Sequence, residues 1–137
     1  RMPTRVCCLT WCAAKRDCSS EAMSWPLVVW IHGGSWSHGS RAVNPAVLLT
    51  RGGYAAASIS YRLSGRATFP VQIHDCKAAI RWLRAHAGQY GLNRRRFGAW
   101  GDSAGGHLVE LLGTTARIAA RAEAVPKALT PPSKAVR

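Results

Sequence analysis

The sequence predicts an α/β fold built on a mostly parallel sheet, because short β-branched apolar runs alternate with stretches of helical periodicity. Residues 27–31 form a continuously apolar run, which is typical of a strand covered on both faces. The order β-α-β-α-β-α favours right-handed crossovers and helices on both faces, giving a three-layer sandwich. The length of 137 residues and the 47% hydrophobic content indicate a single packed unit.

The first half of the predicted fold is one β-α-β unit. The strand at 27–31 ends in a loop of small residues at 32–36. Pro45 to Arg51 is expected to form a short helix that Gly52 and Gly53 stop. The alternation of small and β-favouring residues from Tyr54 to Tyr61 then predicts the second strand.

The second half contains a helix, a third strand and another helix. Apolar residues after Pro70 recur at steps of three and four, which predicts a core-facing helix ending near Gly88 or Gly91: Ile73, Cys76, Ile80, Leu83 and Ala87. Phe97–Trp100 is the predicted third strand. The last helix is expected to end at about Leu112.

The net charge of +13 raises a second class of function, a non-enzymatic basic module that binds nucleic acid or another polyanion. The charge is spread along the chain. Residues 1–24 have four basic and two acidic residues, 25–115 have ten and three, and 116–137 have five and one. No basic arm or known docking motif is present, so we expect no dedicated nucleic-acid partner. Binding that disappears at about 150 mM salt would exclude this alternative.

The cysteines are concentrated near the amino terminus but do not form a metal motif. The spacing of Cys7, Cys8, Cys12 and Cys18 differs from paired C-x2-C zinc sites, and no histidine lies among them. The apolar run Val6–Ala14 is similar to a short signal-peptide core, so secretion stays open beside a cytoplasmic default. No apolar run approaches the roughly 18 residues of a membrane span, so no membrane partner is expected.

Gly101-Asp102-Ser103-Ala104-Gly105 fits the pattern G-x-S-x-G between a predicted strand and a predicted helix. A serine on such a sharp turn has strained backbone angles, and the flanking glycines avoid Cβ collisions. Ser103 is therefore expected to stand clear of the sheet. The N–H of Ala104, at the start of the helix, is expected to point to where an oxyanion would develop.

A second glycine-rich segment, His32-Gly33-Gly34-Ser35-Trp36, follows the first strand. Glycines there let backbone N–H groups approach a substrate oxygen closely. Loops at the carboxyl ends of parallel strands converge on one crevice, so this loop and the G-x-S-x-G turn should meet. The alternative is that both are tight turns of a nucleotide-binding sheet, but neither G-x-G-x-x-G nor a Walker lysine is present.

These motifs resemble the α/β-hydrolase esterase/lipase superfamily, closest to hormone-sensitive-lipase-like carboxylesterases and bacterial feruloyl and acetyl-xylan esterases. The matching segments span about ninety residues: 28–36, 58–63, 69–70, 75–83, 90–92 and 100–112. The resemblance implies a partial α/β-hydrolase fold with an incomplete, mostly parallel sheet, a small ester as substrate, and no cofactor or metal. It assigns the nucleophile to Ser103, the oxyanion hole to Gly34, Ser35 and Ala104, and supporting roles to His32, Gly33, Gly101 and Gly105. Ser35 stands where the family often has a third glycine.

The sequence departs from this family after the nucleophile. The family places an acid and then a histidine there, whereas this chain has only Glu110 and Glu123 as acids and only His107 as a histidine. His107 lies four residues after Ser103, at a position where the family has a packing residue. We therefore expect an incomplete triad and weak or no activity by the chain alone.

The departures predict a truncated or frame-shifted esterase with three segments. These are a Cys-rich atypical segment at 1–24, a partial hydrolase domain at 25–115, and an Ala/Arg/Pro-rich tail at 116–137 that is expected to be disordered after a frayed helix. Such a chain would leave strand edges and apolar faces uncovered, which predicts self-association.

Several polar residues are expected to be structural. Asp75, at the start of a helix, is predicted to pair with Arg62. His74 and His86 are expected on the helix surface, and His38 in a loop. Asp102 is expected to point away from the nucleophile.

Overall fold

The computed structural model describes residues 10–12 and 24–123. The elements of this part are four strands, β1 (Thr10–Cys12), β2 (Trp25–Ile31), β3 (Ala55–Ile59) and β4 (Leu92–Gly101); two α-helices, α1 (Val71–Ala85) and α2 (Ala104–Glu123); and two 3-10 helices, Pro45–Gly52 and Ala87–Tyr90.

The strands form one sheet in the order β1-β3-β2-β4. β2 is parallel to both β3 and β4, while β1 pairs with β3 in the antiparallel direction. The predicted α/β class and mostly parallel sheet are therefore confirmed. Ile31 and Gly101 are register partners at the carboxyl ends of β2 and β4, so the loops that follow them start side by side.

The main core lies between the sheet and the two α-helices. Leu27, Val29 and Ile31 alternate along β2 and face this side, where Leu83 of α1 and Leu108 of α2 pack with them. Each of these five side chains is almost fully buried. Burial of one such side chain contributes roughly 1.5–3 kcal/mol, so this face holds the sheet and helices together.

The opposite face of the sheet has a smaller core. Trp30 and Ala56 pack there with Ala46 of the 3-10 helix Pro45–Gly52. Trp100 on the same face is 44% exposed, with its ring edge-on to Trp30 at a centroid distance of 5.1 Å. In the described part of the chain, β4 is the strand at one edge of the sheet. Self-association through these surfaces stays a prediction.

The ends of several elements differ from the sequence-based expectations. The strand expected over Tyr54–Tyr61 covers only Ala55–Ile59. The helix expected to reach Gly88 or Gly91 ends at Ala85, because a separate 3-10 turn follows and closes at Gly91 with a left-handed φ of 62°.

The third strand and the last helix are both longer than expected. β4 begins at Leu92 and includes three exposed arginines at 94–96. They lie between Leu92 and Phe97, where the register with β2 shifts, and have no partner residues on β2. α2 continues past Leu112 to Glu123, in keeping with the high helix propensity of its alanine-rich sequence. The rest of the tail, 124–137, lies outside the described residues. Of the amino-terminal cysteines, Cys7, Cys8 and Cys18 also lie outside them.

The expected pair of Arg62 and Asp75 connects the segment after β3 to α1. Asp75 accepts hydrogen bonds from the Arg62 backbone N–H at 3.0 Å, from Nε at 2.9 Å and from Nη2 at 2.7 Å. Burial by itself raises the pKa of Asp75, but the hydrogen bonds and the charge of Arg62 outweigh burial and hold this pKa below its usual value.

Replacing Asp75 with asparagine should lower the free energy of unfolding by about 1 kcal/mol at neutral pH, because the Arg62 side chain is half exposed and solvent screens the pair. The folded-state pKa of Asp75 is depressed, so its contribution is present above the unfolded value of about 3.9 and is lost as pH falls through the folded value. Urea unfolding of both chains at several pH values measures this. A difference that stays constant into acid would contradict the assignment.

Candidate active site

Ser103 stands on the sharp turn between β4 and α2. Its φ of 46° lies in the left-handed region, which costs a non-glycine residue about 1 kcal/mol or more. The side chain is exposed at the carboxyl end of the sheet. The first turn of α2 closes below it, because the N–H groups of Gly105 and Gly106 donate to the carbonyl of Asp102 at 2.8 and 3.2 Å. The positive end of the helix dipole therefore faces the serine.

Gly101 and Gly105 allow this turn to pack directly on the end of β2. A Cβ at Gly101 would lie 2.7 Å from the carbonyl oxygen of Ile31 and 2.6 Å from the carbonyl carbon of Gly105. A Cβ at Gly105 would overlap the same Ile31 oxygen. Both glycines are thus required by close backbone contact.

The loop after β2 turns back sharply through three left-handed residues. Gly34, Ser35 and Trp36 have φ values of 106°, 50° and 58°. The carbonyl of Gly34 accepts hydrogen bonds from the N–H groups of Ser37 at 2.9 Å and His38 at 3.0 Å. A Cβ at Gly34 would overlap the His38 carbonyl oxygen, so glycine is required there. Ser35 adopts the left-handed conformation that a glycine would adopt more easily.

Asp102 connects this loop to the turn that carries Ser103. Its Oδ1 accepts a hydrogen bond from the backbone N–H of Gly33 at 2.7 Å. A Cβ at Gly33 would lie 2.9 Å from the backbone carbonyl oxygen of Asp102, which explains the glycine. Sequence reasoning assigned Asp102 only an outward direction and missed this contact. The sequence did contain a signal for it. Asp102 is an acidic residue directly after the end of β4, next to β2, and β2 is followed by the glycine-rich loop at 32–36, whose backbone N–H groups are potential donors.

The N–H groups expected to form the oxyanion hole are not used elsewhere. Within residues 10–12 and 24–123, those of Gly34, Ser35 and Ala104 make no hydrogen bond. Backbone N–H groups without an internal partner are the donors that an oxyanion hole uses.

His32 has a structural role at the base of the loop. Its ring is 5% exposed and stacks on Tyr61 at a centroid distance of 4.5 Å, and its Nδ1 donates to the Gly33 carbonyl at 2.8 Å. The Tyr61 hydroxyl donates to the His32 carbonyl at 2.9 Å. Burial, with smaller effects from Cys76 and Asp102, raises the pKa of Tyr61 to about 12, so this hydroxyl keeps its proton. The supporting role expected for His32 in the site stays a prediction.

His38 and His74 lie where a loop and a surface position were expected, whereas His86 is half-buried and follows the last residue of α1. His38 and His74 are exposed, and His86 stacks on Trp82. His107 is exposed and packs edge to face on Trp36 at 5.5 Å. Among the described side chains none hydrogen-bonds to the Ser103 hydroxyl. The expectation that His107 is not a catalytic base stays a prediction.

The described residues contain neither a metal-binding cluster nor a membrane-spanning helix. Within the described ranges, no three His, Cys, Asp or Glu side chains are grouped so that they could bind a metal ion. No helix of this part combines the length and the apolar character that a membrane span requires.

Comparison with known proteins identifies the fold and family of the chain. The BD-FAE family model matches residues 18–135. The chain is 40% identical over 94 residues to the esterase LipC of Mycobacterium tuberculosis and 36% identical over 94 residues to an arylesterase of Saccharolobus solfataricus, each over 66% of the chain. A solved acetyl ester-xyloside bifunctional hydrolase of Caldicellulosiruptor lactoaceticus superposes with a TM-score of 0.69 and 28% identity over 82% of the chain.

The matched relatives are much longer than this chain. The aligned region spans 23% of LipC and 31% of the arylesterase, and the superposed region spans 40% of the bifunctional hydrolase. The expected resemblance to α/β-hydrolase esterases and the partial α/β-hydrolase fold are confirmed.

Proposed function

Since the chain belongs to the BD-FAE family of α/β-hydrolase esterases, we propose that it carries the nucleophile and the oxyanion hole of a serine carboxylic-ester hydrolase. The observation that supports this most strongly is the pairing of two loops. Ser103, at a φ of 46°, lies one residue from Asp102, whose carboxylate holds the loop that presents unused N–H groups.

The proposed reaction proceeds through an acyl-enzyme. The Oγ of Ser103 attacks the ester carbonyl carbon, and the carbonyl electron pair moves to its oxygen. The N–H groups of Gly34, Ser35 and Ala104 stabilise that oxyanion. Collapse of the intermediate expels the alcohol oxygen and leaves the acyl group on Ser103, which water later removes.

The proton of Ser103 passes to solvent water as Oγ attacks, because the hydroxyl is exposed and no described side chain hydrogen-bonds to it. The sequence contains no aspartate after Ser103, and His107 packs on Trp36. We therefore propose the nucleophile and oxyanion hole without assigning a triad acid or histidine. An ester with an aryl leaving group suits such a site, because a stable phenolate leaves without protonation.

The proposed substrate class is a small ester. The names of the relatives refer to esterase, arylesterase and acetyl ester hydrolase activities. The exposed position of Ser103 at the end of the sheet is consistent with a short acyl group reaching it directly.

The test is the reaction of the purified chain with 4-nitrophenyl acetate, with Ser103→Ala and, as a matched control, Ser64→Ala, an exposed serine outside both loops. We expect a slow first phase, the burst, that releases about one equivalent of nitrophenol per chain and is followed by still slower turnover. Both steps lack a general base, but the activated aryl ester acylates Ser103 faster than water removes the acyl group. Ser103→Ala should abolish the burst and Ser64→Ala should preserve it. Equal background rates in the wild type and Ser103→Ala would refute the proposal.

A further inference from the structure

An open groove lies on the helix-covered face of the sheet, away from Ser103. Its volume is about 560 Å³, and α1, α2 and the middle of β4 form its walls. The floor is apolar and consists of Val29, Ile80, Phe97, Ala99, Val109 and Leu112.

One side of this groove is cationic. Lys77, Arg81 and Arg84 line it and lie on one face of α1, at spacings of four and three residues. Arg84 also lies over the Phe97 ring, 5.4 Å from its centroid. Within the described part of the chain, the ion pair present is that of Arg62 and Asp75, and no acidic residue lines the groove. The three cations therefore have no carboxylate partner there.

The groove is separate from the candidate active site. Gly113, which lines it, lies ten residues after Ser103, or about 15 Å along α2. Neither the loop at 32–36 nor the turn at 101–105 contributes to its lining.

We propose that the groove binds a single-chain fatty acid, with the alkyl chain on the apolar floor and the carboxylate among Lys77, Arg81 and Arg84. Burial of an alkyl chain against the floor is favourable because it removes apolar surface from water on both sides. A carboxylate matches the arginine guanidinium in shape and charge. A cationic amphiphile would be repelled by the same rim.

The chain offers a blocking variant and a matched control. A Cβ at Gly113 meets no atom within 4 Å, and the same holds for Gly65, which lies in an exposed loop outside the groove. Titration calorimetry with monomeric dodecanoate should show binding to the wild-type chain and to Gly65→Phe. Gly113→Phe should weaken it at least tenfold, because the ring occupies the position of the alkyl chain.

A second pair of variants tests the cationic rim at equal net charge. Arg81→Glu should weaken dodecanoate binding at least tenfold, whereas Arg51→Glu, on the exposed 3-10 helix, should not. Equal losses in both, absence of binding to the wild type, or equal binding of dodecyltrimethylammonium would overturn the proposal.

A change of oligomeric state on Gly113→Phe without dodecanoate binding would also overturn it, because the groove would then hold a second copy of the chain. Ser103→Ala should bind dodecanoate as the wild type does. This proposal and that of the esterase site can therefore fail independently.

Discussion

A Gly105→Ala chain is expected to unfold at a much lower urea concentration than the wild type. The added Cβ would overlap the carbonyl oxygen of Ile31 and lie 2.7 Å from that of His32. Both neighbours are backbone atoms at the end of a central strand, so neither can rotate away. Overpacking of a core costs about 1–3 kcal/mol where side chains can adjust, and the cost here should exceed about 3 kcal/mol. Circular dichroism during urea unfolding measures it.

The same helix provides the control for this prediction. Gly113→Ala places its Cβ in open space and removes a flexible residue from the helix interior. It should raise the free energy of unfolding by about 0.5–1 kcal/mol. If Gly105→Ala unfolds at the same urea concentration as the wild type, the close contact between the start of α2 and β2 is wrong.

An Asp102→Ala chain should lose most of the acylation burst while remaining folded. The carboxylate holds the Gly33 N–H at 2.7 Å, and a hydrogen bond of this charged type contributes about 1.5–3 kcal/mol. Without it, the left-handed residues Gly34 and Ser35 are no longer fixed relative to Ser103. Loss of one oriented oxyanion donor reduces acylation by about 10²–10³-fold. The rate of the nitrophenol burst measures this effect.

The matched control for this variant is Asp102→Asn. Its side-chain carbonyl can still accept the Gly33 N–H, so acylation should fall by much less than in Asp102→Ala. Equal loss in both variants would indicate that the negative charge matters rather than the hydrogen bond. Unchanged acylation in Asp102→Ala would remove the proposed positioning role.

Much of the fold could be predicted because its signals are local. The apolar run before His32, the helical spacing from Ile73 to Leu83 and the glycines around Ser103 each specify a short segment. Parallel pairing then follows from the alternation of strands and helices, and it places the two glycine-rich turns at neighbouring strand ends. The sequence therefore predicted that the loop at 32–36 and the turn at 101–105 lie close together.

The parts that could not be predicted depend on contacts distant in sequence. The hydrogen bond from Gly33 to Asp102 spans 69 positions, and it depends on the precise register of β2 and β4. The first half of β4 was not predicted because its exposed arginines at 94–96 break the apolar pattern of a strand. They lie where the register with β2 shifts between Leu92 and Phe97. Sequence periodicity contains neither kind of information.

The role of Ser103 as nucleophile is tested most directly by locating the acyl group after the burst. The chain is treated with 4-nitrophenyl acetate, quenched in acid, digested and analysed by tandem mass spectrometry. We expect one acetyl group on the peptide that contains Ser103, attached to Ser103 itself and absent in Ser103→Ala. Acetyl groups spread over lysines, with Ser103 unmodified, would contradict the assignment of Ser103 as the nucleophile.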